Sequence, residues 1–140
     1  TFGSGSIIAY SLQSNIFSFS LAVLYLGIIA WIISFDTYYA LEDKEDDLRI
    51  NINSTAVLWG DNAIKYAQIL HLGFYASLLL IGIVNQFSYV FFLNFIILMA
   101  LFFYQKELIK SNKFIEGFKI NNLVGVVALI GFAFEIIYLN

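Results

Sequence analysis

The chain has 140 residues, of which 61% are hydrophobic, 19% aromatic and 12% charged, with a formal charge of −3. Soluble domains carry roughly 45–50% apolar and about 25% charged residues, so this balance belongs to a protein whose main solvent is lipid. Seven basic residues offer no surface for nucleic acid, and the lack of cysteine excludes disulfide and thiolate chemistry.

Backbone groups in lipid must be satisfied internally, which makes helices the default spanning form. The expected fold class is an all-α transmembrane helical bundle. The opening segment, 2–12, is too short to cross and reads as the end of a truncated helix. Gly3, Ser4, Gly5, Ser6 and Ala9 would give it a tightly packing face. Ile16 to Phe35 then carries no charge. A helix of that length covers about 30 Å, one bilayer core, and the span is placed at about 16–38. Residues 36–47, "DTYYALEDKEDD", hold six of the ten acidic residues. Ser54 to Trp59 reads as a short interfacial helix, capped by Asn53 or Ser54 and ended by Gly60.

Ile69 to Tyr104 is also free of charge but too long for one crossing. Asn85-Gln86 divides it, giving spans at about 63–84 and 87–104 joined by a tight hairpin. The last span, about 118–139, carries Gly125 and Gly131 as packing positions and Glu135 near its far end. Glu135 is expected at the outer interface, reaching headgroups. His71 reads as a partner in an interhelical hydrogen bond, and Asn94 as glue between helices. Trp31 and Trp59 read as packing or lipid contacts.

Alternation of these spans puts two loops on one face. Lys44, Arg49 and Lys65 lie in or beside the first, and Lys106, Lys110, Lys113 and Lys119 in or beside the second. The opposite turns have no basic residue, so the positive-inside rule makes the charged side cytoplasmic. The acidic stretch is then cytoplasmic too. The expected location is a bacterial inner membrane, multi-pass, or the mitochondrial inner membrane in a eukaryote.

Continued as a helix through residue 47, the first span brings Asp36, Asp43 and Asp47 within about 40° of one another. Ala40 lies between them and Glu45 points to the opposite face. Like charges on one helix face repel, and such a row asks for a cation. Carboxylates without thiolate or imidazole partners favour hard ions, Mg²⁺ or Ca²⁺. Mg²⁺ keeps waters and bridges one or two carboxylates to phosphates, which suits a diphosphate held at the mouth of a bundle. The plainer alternative is a solvated helix end. Asp36 argues against it, because an Asp within a span costs about 2.5–3.5 kcal/mol on insertion scales and usually faces a polar interior.

"DTYYALEDKEDDLRININSTAVLWG", residues 36–60, resembles the second aspartate-rich motif of the UbiA superfamily of intramembrane prenyltransferases. The nearest pattern is that of the 4-hydroxybenzoate polyprenyltransferases, D-T-x-Y-A-x-x-D-x-x-D-D-x-x-I-G-x-x-S-T-A-x-x-x-G. Asp36, Thr37, Tyr39, Ala40, Asp43, Asp46, Asp47, Ile50, Ser54, Thr55, Ala56 and Gly60 match it in register. Two positions depart: Asn51 stands for the pattern's Gly, and Asn53 for the usual Lys. Asn tolerates the left-handed backbone that Gly often supplies. Loss of the Lys removes a cation that would face diphosphate, and Arg49 remains nearby.

The resemblance implies nine helices around a central cavity, of which residues 1–140 would be the C-terminal part. Two Asp-rich motifs would hold Mg²⁺ and a polyprenyl diphosphate, whose prenyl group alkylates 4-hydroxybenzoate ortho to its hydroxyl in ubiquinone biosynthesis. On this sequence it assigns Asp43 and Asp47, with Asp46 beside them, to the metal. Asp36 and Tyr39 would line the cavity as catalytic residues, and Arg49, Ser54 and Thr55 would meet substrate. The chain opens on Thr and its only methionine is Met99, so it reads as a piece whose N-terminal half carries the other motif. Alone it is expected to be inactive. Alternatives are a superfamily member using another quinone precursor, and a non-catalytic membrane protein with a divalent-cation site.

Overall fold

The structure, a computed structural model, describes residues 19–138; the segment read as a truncated helix, with its small residues, lies outside them. The described residues form α1 (Phe19–Glu42), α2 (Lys44–Arg49), α3 (Thr55–Trp59), a 3-10 turn (Gly60–Asn62), α4 (Ala63–Val84), α5 (Tyr89–Lys110) and α6 (Phe114–Tyr138). There is no strand among them. The four long helices are apolar and long enough to cross a membrane. Many large apolar side chains, among them Leu26, Ile69, Ile96, Phe103 and Leu129, are exposed on their outer faces. In water such a surface would aggregate; in a bilayer it meets solvent of its own kind.

Three helix ends share one device. α2, α4 and α5 each stop at a residue in the left-handed region: Asn51 (φ 56°), Gln86 (φ 54°) and Asn112 (φ 58°). In each, the next amide reaches back to a carbonyl one turn inside: Ile52 to Asp47, Phe87 to Gly82 and Lys113 to Leu108, each at 2.9 Å. This is the pattern in which glycine is usual and asparagine the common substitute. Asn51 therefore fills the conformation expected for the glycine it replaces. The hairpin at Asn85-Gln86 also lies where the sequence puts it.

The last loop is shorter than charge alone suggests. α5 runs on to Lys110 and α6 begins at Phe114, so Lys106, Lys110 and Lys119 stand on helices. Lysine marks the edge of lipid, but it is a good helix former and does not end a helix.

α1 packs along α4, and α6 packs along both α5 and α1. The core gathers Phe74, Tyr75 and Leu78 of α4, Leu98 and Phe102 of α5 and Val124 of α6. Trp31 of α1 stacks on Phe74, with centroids 4.7 Å apart and planes 9° from parallel. Asn94 donates to the carbonyl of Val127 at 2.9 Å. A Cβ at Gly131 would collide with that amide, so both residues serve close approach of α5 and α6.

Two polar residues depart from expectation. Glu135 is buried, 5% exposed. Its carboxylate accepts from the backbone N–H of Ser88 (3.1 Å to each oxygen) and from the Ser88 hydroxyl. It does not reach headgroups, because Ser88 is the N-cap of α5 and the free N–H groups and positive end of a helix draw a carboxylate inward. His71 is fully buried, but among the described residues it makes no interhelical hydrogen bond and neither ring nitrogen has a partner. Aromatic packing holds it instead. Its ring stacks on Tyr75 at 5.1 Å and meets the edge of Phe102 at 5.7 Å.

Candidate functional site

α1 changes character in its last two turns. Thr37 and Tyr38 turn inward and are buried, while Asp36 and Tyr39 are exposed. The buried side is tied to α3. The Thr37 hydroxyl donates to the carbonyl of Ile33 at 2.7 Å. With its one proton spent, it accepts from the Thr55 hydroxyl, 2.8 Å away. Ser54 caps α3, accepting from the Val57 amide at 3.4 Å. In this half of the site, Ser54 and Thr55 thus hold the element after the acidic loop against α1.

α1 does not continue through residue 47. It ends at Glu42, Asp43 bends (φ −94°, ψ 6°), and α2 restarts at Lys44. No proline or glycine marks the break. The Lys44 ammonium donates to the Gly60 carbonyl at 3.2 Å, and α2 lies against α3, so tertiary contacts draw the chain aside. Asp43 and Asp47 remain one turn apart, joined by the Asp47 amide donating to the Asp43 carbonyl at 2.9 Å. The Asp43 carboxylate makes no capping bond and is exposed, as are Glu45 and Asp46, while Asp47 is half-buried. Arg49 pairs with Asp46 at 3.3 Å on the open surface. The single face holding Asp36, Asp43 and Asp47 is broken at Asp43. Among the described residues no three acidic or histidine side chains close into one metal-holding group.

Asp36 belongs instead to a cavity of about 400 Å³ between α1 and α6. Ile28, Trp31, Ile32 and Phe35 line it from α1, and Phe118, Asn121 and Asn122 from α6. Tyr39 stands beside it, its ring edge-on to Phe118 at 5.4 Å. The Trp31 indole is fixed on several sides. It stacks on Phe74, meets Phe35 at 5.5 Å and donates from Nε1 to Asn121 Oδ1 at 2.9 Å. The cavity is therefore an apolar, aromatic groove with one carboxylate and two amides. It lies about 10 Å along the chain axis from Asp43, at 1.5 Å per helical residue.

The sequence reading does not single out Phe118, Asn121 or Asn122, and it takes Trp31 for packing. A signal was present for the asparagines: two adjacent amides stand just inside Lys119, where the rest of the span turns apolar. Polar side chains inside a span face a bundle interior more often than lipid.

The model of the UbiA prenyltransferase family matches residues 1–123. Curated relatives include the 4-hydroxybenzoate octaprenyltransferases of Salmonella paratyphi B, Salmonella newport and Salmonella agona. Each is 34% identical over 135 residues, covering 94% of this chain and 47% of the relative. The chain thus spans about half the length of the curated relatives it matches. No solved structure shows significant similarity.

Proposed function

The chain belongs to the UbiA prenyltransferase family, and we propose that a protein of the relatives' full length transfers a polyprenyl group from polyprenyl diphosphate to 4-hydroxybenzoate. The observation that carries this reading is the cavity beneath the acidic rim, with Asp36 on its wall and Trp31, Phe35 and Phe118 around it. The C–O bond to diphosphate breaks, a C–C bond forms ortho to the phenol oxygen, and the ring loses the proton at that carbon. Aromatic faces around the cavity attract the positive charge that develops on the allylic carbon.

The donor set suits Mg²⁺ in part. Asp43, Asp46 and Asp47 are oxygen donors, and Mg²⁺ takes one or two carboxylates with phosphate oxygens and waters. Asp43 and Asp47 would hold it, with Asp46 alongside. Bound there, Mg²⁺ would offset the negative charge of the departing diphosphate. Arg49 lies in reach of the same rim through its pairing with Asp46. A second acidic motif on the other half of the protein would complete the set. We place the rim on the cytoplasmic side of an inner membrane, because all seven basic residues sit at that end of the bundle.

The test is product formation in membranes carrying the full-length protein, given labelled polyprenyl diphosphate, 4-hydroxybenzoate and Mg²⁺. Transfer that EDTA abolishes supports the reading. A well-expressed protein that prenylates a naphthoate but not 4-hydroxybenzoate would move it to another quinone precursor.

A further inference from the structure

The two cavity asparagines are used differently. Asn121 is buried, and both ends of its amide are engaged: Oδ1 accepts from Trp31 Nε1, and Nδ2 donates to the Phe118 carbonyl, each at 2.9 Å. Its work is to fix the wall. Asn122 is exposed, lines the same cavity and has no side-chain hydrogen bond among the described residues. It stands on α6 one turn after Lys119, where the charged end of the helix gives way to its apolar part. An open amide on a wall that is otherwise largely apolar and aromatic is free to bind a polar group that enters the cavity.

We infer that Asn122 is a specificity-determining contact for the phenolic hydroxyl of the aromatic acceptor, an inference that rests on the function proposed above. Three observations select that group. The diphosphate end of the donor belongs at the acidic rim, some 10 Å along the chain axis from Asp36 at Asp43, and the rest of the donor is hydrocarbon. The acceptor's carboxylate is repelled by Asp36, which shares the cavity with Asn122. A hydroxyl satisfies both side chains at once, donating its proton to the Asp36 carboxylate and accepting from Asn122 Nδ2. The ring carbon ortho to that oxygen then lies beside the Trp31 and Phe35 faces. Asn122 holds the acceptor and Trp31, locked by Asn121, sets the plane against which it lies.

The experiment uses the full-length protein. Asn122→Leu is expected to raise KM for 4-hydroxybenzoate about tenfold while leaving KM for polyprenyl diphosphate within about twofold. Benzoate, which lacks the hydroxyl, should inhibit the wild type and the variant with the same inhibition constant. An unchanged acceptor KM, or equal rises for acceptor, donor and benzoate, would overturn the inference. If Asn122→Leu does not accumulate, Asn122→Ala is read by the same comparison. A wild-type protein active on no phenolic acid removes the underlying reading before any variant is made, so the two failures are distinguishable.

Discussion

Asp43 and Glu45 are two residues apart, both exposed, and differ in what the backbone does with them. Asp43 stands at the bend with its carboxylate uncommitted, one turn from Asp47. Glu45 points elsewhere on α2. In the full-length protein, if it carries the proposed activity, Asp43→Asn and Asp47→Asn should each lower turnover about a hundredfold or more, while Glu45→Gln stays near wild type. Extra Mg²⁺ should partly restore the weaker ligand variant. Equal losses at all three positions in the membrane assay would remove the metal assignment. Sequence alone makes Asp36 conspicuous, because an acid inside a charge-free run has few inexpensive explanations. It leaves Glu135 misread, because the partner that buries it, Ser88, is 47 residues away. A simple measurement checks that pairing. Glu135→Ala removes the carboxylate to which the α5 cap residue Ser88 donates and should cost about 1–3 kcal/mol, seen as a lower thermal midpoint in detergent, whereas an interfacial glutamate would be neutral.

At the scale of elements, the bundle is governed by which faces come close. Gly27 of α1 lies against Ser77 of α4, and a Cβ there would collide with the serine side chain. Gly73, on α4, has open space around it among the described residues. Gly27→Ile should therefore cost about 1–3 kcal/mol by overpacking and lower the yield of folded protein. Gly73→Ile should leave the thermal midpoint nearly unchanged. The existence of four crossings was legible because hydrophobic length is set by the bilayer and not by packing. The capped helix Thr55–Trp59 was legible because Ser and Gly have local reasons to stand at its ends. The bend at Asp43 was not, since it comes from contacts with α3 and Gly60 that no local residue announces. The side wall of the cavity was equally hidden: Trp31 and Asn121 are 90 residues apart and meet only once α6 packs on α1.

At the scale of the whole molecule, four long apolar helices in sequence put alternate loops on opposite faces of a membrane. These 140 residues hold no cysteine, so a single cysteine introduced among them reports sidedness at a known position. Asn51→Cys and Ser111→Cys should react with a membrane-impermeant maleimide from the cytoplasmic side, and Gln86→Cys from the other; labelling of all three from one side would contradict the four-crossing arrangement. Completeness is tested by residues 1–140 expressed alone. They should insert with the acidic loop inside yet transfer no prenyl group. Among the described residues the groove bearing Asp36, Trp31 and Asn122 has walls from α1 and α6 alone, and one acidic rim supplies part of a metal–diphosphate cluster. Co-expression of the segment that precedes the matched region in the relatives should restore activity, because membrane helices can associate after insertion. The decisive measurement is product from purified residues 1–140 with Mg²⁺, polyprenyl diphosphate and 4-hydroxybenzoate. Turnover there would mean that a single acidic motif suffices, and the proposed need for a second motif would have to be abandoned.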